Sequence, residues 1–287
     1  MKKYTIIIFM LSVLIAGCSK QQYSLNRHVS LGYESLSVPD KQLADTLIKK
    51  VLDNEGLYTV ISGLKPMSSA SDLVLKIAQP DTAVAGVAKV TDVQSQDYLK
   101  LERYQKVINA LQLGDLKFIM LPFKMQSKGE RIMQINIYRQ SLVDSLLSAN
   151  ASFYGQFGYA PGATGQLIIN TTEYEHKYDR FRSYGYLFGY PDHAVEFFVA
   201  ASISNDKTGE FVKRDFYQIP VFSGATGHFV YALPKGTTPT KVDELHKARA
   251  EYSLIKYQGL RKKYLRKDGT LRAYDLMLAL LNDGGKK

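Results

Sequence analysis

The sequence predicts an α+β domain in which a mainly antiparallel sheet is flanked by N-terminal and C-terminal helices. Three observations support this prediction. Apolar, β-rich runs separated by polar turns fill the middle of the chain. Helix-start residues followed by apolar residues at helical spacing stand towards both ends. The composition, 45% hydrophobic and 22% charged, is that of a globular chain able to bury a core.

Residues 1–17 have the pattern of an export signal. Lys2 and Lys3 form a basic start, and an apolar run over residues 5–14 follows them. The 14 residues from Tyr4 to Gly17 would make about 21 Å of helix, which is too short for a hydrocarbon core of about 30 Å. We therefore predict a cleaved signal peptide over residues 1–17.

The end of this segment, Leu14-Ile15-Ala16-Gly17-Cys18, resembles the lipobox of bacterial lipoproteins. The resemblance implies that the thiol of Cys18, the only cysteine, receives diacylglycerol and that cleavage occurs just before it. Further acylation, for example with palmitate, would give a stable membrane anchor. In the enterobacterial form of this family an aspartate after the cysteine retains the protein in the inner membrane. Ser19 therefore favours a lipid anchor in the outer membrane, facing the periplasm.

Residues 18–37 are rich in Ser, Gln and Asn and are predicted to form a flexible tether. About 19 flexible residues would reach roughly 25 Å, enough to hold a domain clear of lipid head groups. Residues 38–287 contain no internal repeat and no long linker. We predict that they form one domain.

The first helix of this domain is predicted to begin at Ser37. Ser37-Val38-Pro39-Asp40 has the form of a capping box, in which the serine and the acidic side chain each bind a backbone amide. Apolar residues then recur on one face, and Gly56 is the expected stop. A second helix is predicted over residues 95–113.

Strands are predicted for the middle of the chain. Residues 116–123 and 131–138 are apolar runs joined by a polar turn at 126–130, which indicates a hairpin. Further strands are expected at residues 166–172, 194–202, 210–220 and 228–233, with turns at 205–209 and 223–227.

Helices are predicted again at residues 239–267 and 270–281. The first of these has an apolar stripe, which we expect to face the core. The stripe consists of Val242, Leu245, Ala248, Tyr252 and Ile255.

An aromatic segment spans residues 153–190. It holds 11 Phe or Tyr residues in 38, where the average of the chain predicts about four. Residues 184–191 contain two glycines, a proline and four aromatics, which indicates a loop of defined shape. We predict that this segment binds a partner or glycan, and the alternative is that its tyrosines pack against a sheet. The predicted binding residues are Tyr184, Tyr186, Phe188, Tyr190, Arg180 and Arg182.

Candidate catalytic residues lie in the same segment. If Asp192 caps a short helix, His193 and Glu196 share a face, which suits acid/base work. His176 could approach from a neighbouring strand. A single His-x-x-Glu without a second histidine at helical spacing does not define a metal site, so we predict neither a metal nor a cofactor.

Serine-hydrolase chemistry is a further alternative. Ser62-Gly63-Leu64-Lys65 is followed by Ser148-Ala149-Asn150 and Lys207-Thr208-Gly209, the motif order of penicillin-binding proteins. The chain holds three Ser-x-x-Lys matches, and chance predicts about two. The third motif also falls in a predicted turn, where a strand is needed. The sequence does not favour this interpretation.

Positive charge is concentrated near the C-terminus. Residues 241–267 hold nine basic and three acidic residues, a net of +6 within a chain of +10. Anionic lipid head groups or an anionic envelope polymer are the expected partners, through Arg261, Lys262 and Lys263. The alternative is a solvated helix face. Nucleic acid is not an expected partner of an exported protein.

Together these features predict a lipid-anchored cell-envelope protein, held in the membrane through Cys18, that binds other molecules without catalysis. A protein partner is one possible ligand. Two alternatives stay open: an envelope hydrolase that uses His176, His193 and Glu196, and a subunit of a larger envelope assembly with the aromatic segment as its interface.

Overall fold

The computed structural model describes residues 31–77, 92–127 and 130–283. The predicted signal peptide, Cys18 and the first part of the predicted tether lie outside these residues. The described part combines many helices with a four-stranded antiparallel sheet and a separate β-hairpin. The predicted α+β class is confirmed.

The fold begins earlier than the sequence predicted. A short helix, α1 (Leu31–Glu34), lies inside the stretch expected to be a flexible tether. Its Tyr33 is buried and stacks on Tyr274 near the C-terminus, with ring centroids 3.5 Å apart. The tether boundary predicted at residue 37 is therefore wrong, because an aromatic contact with the far end of the chain holds α1 in the domain.

Helix α2 (Val38–Asp53) starts as predicted, with the Ser37 side chain accepting a hydrogen bond from the amide of Asp40. The Asp40 carboxylate points instead to another helix, α3 (Gln96–Ala110), where it binds Arg103 and Lys106, each at 2.9 Å. The cap therefore also joins the two N-terminal helices. After α2, a π-helical turn covers Tyr58–Ser62.

The sheet is formed by four strands in the order β1-β4-β3-β2, all antiparallel. They are β1 (Met67–Leu75), β2 (Gln112–Leu113), β3 (Leu116–Ser127) and β4 (Glu130–Arg139). The predicted central hairpin corresponds to β3 and β4 and is confirmed. Alternate residues of β3 enter different cores: Phe118 and Met120 belong to one, Ile119 and Leu121 to the other. Both faces of the sheet are thus buried.

Five helices follow the sheet. They are α4 (Gln140–Ala149), α5 (Ala151–Gly155), α6 (Gly165–Tyr174), α7 (Lys177–Leu187) and α8 (Asp192–Thr208). The strands predicted at 166–172 and 194–202 are wrong, since these residues lie in α6 and α8. Short apolar runs do not distinguish a buried strand from a buried helix. Here Thr164 caps α6, and Gly209, with a φ of 74°, ends α8.

The remaining predicted strands form a hairpin of β5 (Arg214–Val221) and β6 (Gly224–Pro234). Two long helices then close the domain: α9 (Lys241–Arg261) and α10 (Ala273–Asp283), separated by a 3-10 turn at Lys262–Tyr264. Within the described residues, no helix is both long and apolar enough to cross a membrane.

Helix α9 faces the opposite way from the prediction. Its buried residues are Asp243, Ala250, Ser253 and Tyr257. Four of the five stripe residues that were expected to face the core are large and exposed. Their exposed fractions are 47% for Val242, 61% for Leu245, 73% for Tyr252 and 68% for Ile255. Specific polar contacts, and not apolar burial alone, decide which face of α9 packs inward.

One such contact joins α9 to α2. The buried Asp53 carboxylate accepts a hydrogen bond from the Tyr257 hydroxyl at 2.6 Å and from Arg261 Nε at 3.0 Å, and Lys49 lies 2.9 Å away. Arg261, whose side chain is largely buried, therefore pairs with a carboxylate of the protein itself, and its role towards an anionic partner stays a prediction. Lys262 and Lys263 remain exposed.

We expect Asp53→Asn to destabilise the protein by about 2–3 kcal/mol, because charge-assisted hydrogen bonds across the α2–α9 contact are lost. Burial alone would raise the pKa of Asp53, but hydrogen bonds from Tyr257, Arg261 and Lys49 hold it below its usual value. The stabilisation is therefore complete above the unfolded pKa of about 3.9 and declines as the pH falls below it. Urea unfolding at pH 7 and pH 3 measures both effects.

The matched control is Asp275→Asn, which removes a surface ion pair with Arg272 at 3.3 Å. We expect it to cost less than about 1 kcal/mol. Equal losses in the two variants would contradict the role given to Asp53.

Candidate functional site

A cavity of about 400 Å³ lies between the α7–α8 pair and strand β6. Its size is within the range typical of small-molecule sites. Most of its wall is aromatic, and we call it the aromatic cavity. Its seven rings are those of Phe181, Tyr184, Phe188, Tyr190, Phe198, Phe216 and Tyr231.

Two glycines allow α7 and α8 to form one side of this cavity. A Cβ atom on Gly185 would lie 2.8 Å from a methyl group of Val195, so the two helices meet there without a side chain between them. Gly189 follows α7 with a φ of 73°, and a Cβ atom there would collide with the carbonyl oxygen of Leu64. The predicted loop at 184–191 is thus the end of a helix and a tight turn pressed against residues 64 and 65.

Two of the three tyrosines that line the cavity have hydroxyls that bind carboxylates. Tyr184 donates to a carboxylate oxygen of Glu173 at 2.6 Å, and Tyr231 donates to Asp243 at 2.6 Å. Burial, together with these carboxylates, raises the pKa of both tyrosines. Both hydroxyls are therefore protonated donors with fixed acceptors, and the rings present mainly apolar surface to the cavity.

The buried ammonium group of Lys65 lies next to Phe188 and Tyr190, two of the rings that line the cavity. Lys65 is fully buried, and its ammonium group lies 2.8 Å from a carboxylate oxygen of Glu55. The same nitrogen is 5.0, 5.6 and 4.2 Å from the ring centroids of Phe188, Tyr190 and Phe229. Burial lowers the pKa of Lys65, and Glu55 opposes this shift. The rings contribute cation–π attraction, which is stronger away from water.

This arrangement accounts for the Ser62-x-x-Lys65 motif without a hydrolase. The Ser62 hydroxyl donates to the carbonyl of Tyr58 at 2.6 Å and accepts the amide of Leu64 at 3.2 Å. Lys65 binds Glu55 instead of Ser62. Lys207-Thr208-Gly209 ends helix α8 and does not form a strand.

A second, more polar cleft of about 490 Å³ lies on the other side of Tyr190, and His193 and His246 line it. His193 Nε2 is 3.1 Å from a carboxylate oxygen of Asp243 but makes no hydrogen bond. Asp243 is fully buried. Burial alone would raise its pKa, yet hydrogen bonds from Tyr231 and Thr240 hold it below the usual value. Burial also lowers the pKa of His246.

The three candidate catalytic residues do not meet. His176 precedes α7, whereas His193 follows it at the start of α8. The 11 residues of α7 span about 16 Å. Glu196 is exposed and pairs with Arg182. Among the residues that the structure describes, no three His, Cys, Asp or Glu side chains are grouped to hold a metal ion.

The predicted binding residues are divided between four places. Tyr184, Phe188 and Tyr190 line the aromatic cavity. Tyr186 is buried beside the polar cleft. Arg180 lines an adjoining opening of about 440 Å³ next to Glu173, and Arg182 is held by Glu196.

The sequence prediction did not include Phe181, Phe198, Phe216 and Tyr231 in the site. Phe181 and Phe198 lie on α7 and α8. Phe216 and Tyr231 come from the β5–β6 hairpin, which reaches the cavity only through packing of β6 against α8. No local sequence pattern marks Phe216 or Tyr231 as neighbours of the aromatic segment.

Comparison of the chain with protein-family models, with curated proteins and with solved structures finds no match.

We expect Glu55→Gln to cost about 3 kcal/mol in unfolding free energy, because it leaves the buried ammonium of Lys65 without its carboxylate. We expect Lys65→Met to change stability by less than about 1 kcal/mol, since a thioether packs well among aromatic rings and Glu55 keeps some access to water. Denaturant unfolding at pH 7 compares the two.

A pH series gives a second measure of Lys65. Because its pKa is lowered in the folded protein, the unfolded chain binds the proton more tightly, and stability should rise with pH towards 10.5 relative to Lys65→Met. Equal destabilisation by the two substitutions would contradict this account of the buried pair.

Proposed function

We propose that this protein is a non-catalytic, lipid-anchored protein of the cell envelope that binds an apolar group of its ligand in the aromatic cavity. The observation that carries the proposal is the aromatic cavity itself, about 400 Å³ in volume and lined by seven rings. Such cavities favour ligands through burial of apolar surface.

The polar groups around the cavity favour an apolar ligand. The hydroxyls of Tyr184 and Tyr231 already bind buried or partly buried carboxylates. A ligand group that needed several hydrogen bonds would lose its water without replacing them, at a cost of about 1–3 kcal/mol each. An acyl chain or an unsubstituted ring meets no such cost, so we assign apolar groups of this kind to the cavity.

The non-catalytic part of the proposal rests on the separation of the candidate residues. His176 and His193 lie at opposite ends of α7, and Glu196 is engaged by Arg182. The described residues that line the aromatic cavity include no acid, histidine, lysine or serine. Binding is therefore the chemistry that this cavity supports best.

The test of the cavity is a substitution that fills it. We expect Ala194→Leu to weaken binding of the fluorescent probe N-phenyl-1-naphthylamine at least about tenfold, equal to 1.4 kcal/mol. Ala194 is buried on α8 and lines the cavity, so the added methyl groups occupy space that the probe would use. Fluorescence titration of the purified protein measures the affinity.

Ala200→Leu is the matched control, because Ala200 lies on the same helix but is exposed. It should bind the probe as the unsubstituted protein does. Val230→Phe fills the cavity from β6 and serves if Ala194→Leu unfolds. Unchanged affinity in a folded, cavity-filled variant would show that the probe binds elsewhere and would refute the proposal.

The anchor is tested separately. We expect Cys18→Ser to abolish incorporation of radiolabelled palmitate and to prevent removal of residues 1–17, because the hydroxyl does not replace the thiol as acyl acceptor. Labelling in cells and the mass of the mature chain measure these two effects. A Cys18→Ser chain that is still labelled, or still shortened to the same extent, would contradict the lipoprotein assignment.

A further inference from the structure

We propose that the outer face of α9, formed by Val242, Leu245, Tyr252 and Ile255, docks on an anionic lipid bilayer. Each of these side chains is between 47% and 73% exposed. Leu245, Tyr252 and Ile255 lie opposite the buried residues Ala250 and Tyr257 on the same helix. Val242 lies at the edge of this face, where it also lines the polar cleft. Single exposed apolar residues are ordinary, but a row of them on one helix face is typical of an interaction surface.

The face has the dimensions of an interfacial helix. From residue 242 to residue 255 it extends about 20 Å along the axis, at 1.5 Å per residue. Leu245 and Ile255 supply aliphatic surface, and Tyr252 carries a ring with a polar tip, a side chain that is favoured where lipid meets water. A helix of this kind lies in the plane of the bilayer surface with its apolar face at the head groups.

The charges beside this face are complementary to anionic lipid. Lys241, Arg249, Lys262 and Lys263 are exposed along or just beyond α9. Each basic residue held near an anionic surface is attracted to the lipid head groups. The apolar row and the cations together define a basic amphipathic face, which favours a membrane surface over a neutral protein partner.

The exposed carboxylates of α9 are directed to one side. Burial raises the pKa of Tyr217 on β5 to about 12, with further contributions from Glu244, Asp243 and Glu251. Glu244 and Glu251 therefore lie towards the β5–β6 hairpin. The remaining edge of the face carries the cations, so the acids do not cancel the attraction to lipid phosphate.

The position of the chain start is consistent with this docking. Cys18 and Leu31 are 13 residues apart, which limits their separation to about 45 Å. Tyr33 of α1 stacks on Tyr274 of α10, and α10 packs against α9. An acyl anchor at Cys18 would thus keep α1 within about 45 Å of the bilayer, a distance that permits α9 to reach it. This step rests on the proposed acylation, whereas the apolar and basic face of α9 does not.

The experiment places a single reporter on the face. Acylation would block Cys18, the only cysteine, so Tyr252→Cys in the full acylated chain gives one thiol for the environment-sensitive dye NBD. The protein is reconstituted in vesicles of phosphatidylcholine alone or with phosphatidylglycerol, and quenching by brominated lipid reports contact with the bilayer. Gln156→Cys is the control, since Gln156 is exposed beside α5, across the sheet from α9.

We expect a blue shift and strong quenching at position 252 in the anionic vesicles, and neither at position 156. Salt at 1 M should remove the advantage of anionic over neutral vesicles, because it shortens the screening length from about 10 Å at 0.1 M to about 3 Å. The double variant Lys262→Glu, Lys263→Glu should likewise lose that advantage. Ile255→Cys provides a second reporting position if labelling at 252 disturbs the helix.

Three results would overturn the proposal. Position 252 could stay as water-exposed as position 156 in anionic vesicles, or neutral vesicles could quench it equally. The dye at 252 could also shift without vesicles as protein concentration rises, which would show that a second copy covers the face. The unsubstituted chain, treated with the same dye, reports any free Cys18 thiol, so that failure of the anchor is distinguished from failure of the docking face.

Discussion

The buried ammonium group of Lys65 is the constraint on which the arrangement around the aromatic cavity depends. A charge without water is tolerated only when it is paired and enclosed, and here Glu55 pairs it while three aromatic rings cover it. Two of those rings, Phe188 and Tyr190, also form part of the cavity wall. Moving either ring away would remove one of the aromatic faces that enclose the ammonium group of Lys65. The cavity wall is therefore fixed from behind, by a group that does not itself line the cavity.

Lys65 also lies where the two hydrophobic cores meet. Its neighbour Leu64 belongs to the core that includes α2, α9 and α10, and Met67 belongs to the core beneath α4–α8. The turn after α7 crosses the chain at this point, and only a glycine at position 189 permits the approach to the Leu64 carbonyl. The second core, the cavity and the polar cleft therefore meet where the turn at Gly189 contacts Leu64 and Lys65. Hydrogen bonds also connect the cavity to α9. Tyr231, which lines the cavity, binds Asp243, and Asp243 forms the capping box of α9 with Thr240.

Features set by neighbouring residues were predictable. Ser37 caps α2 as its sequence position indicates, and the β3–β4 hairpin follows from two apolar runs around a polar turn. The predictions failed where the same local pattern fits two structures. The apolar runs of α6 and α8 suit a strand as well as a helix. The stripe on α9 suggested an inward face. Instead, Asp243 and Tyr257 face inward, where they form hydrogen bonds with Tyr231 and Asp53.

The candidate site shows the same division. The aromatic excess marks residues 153–190, and the sequence prediction already places Tyr184, Phe188 and Tyr190 among the binding candidates. It could not add Phe216 or Tyr231, nor separate His176 from His193, because those relations depend on which helices pack together. The sequence by itself determined the fold class, the cap of α2, the central hairpin and the excess of aromatic side chains, all of which depend on residues close together in the chain. Only the tertiary structure decided the cavity, the burial of Lys65 and the exposed face of α9, because each depends on contacts between residues far apart in the sequence.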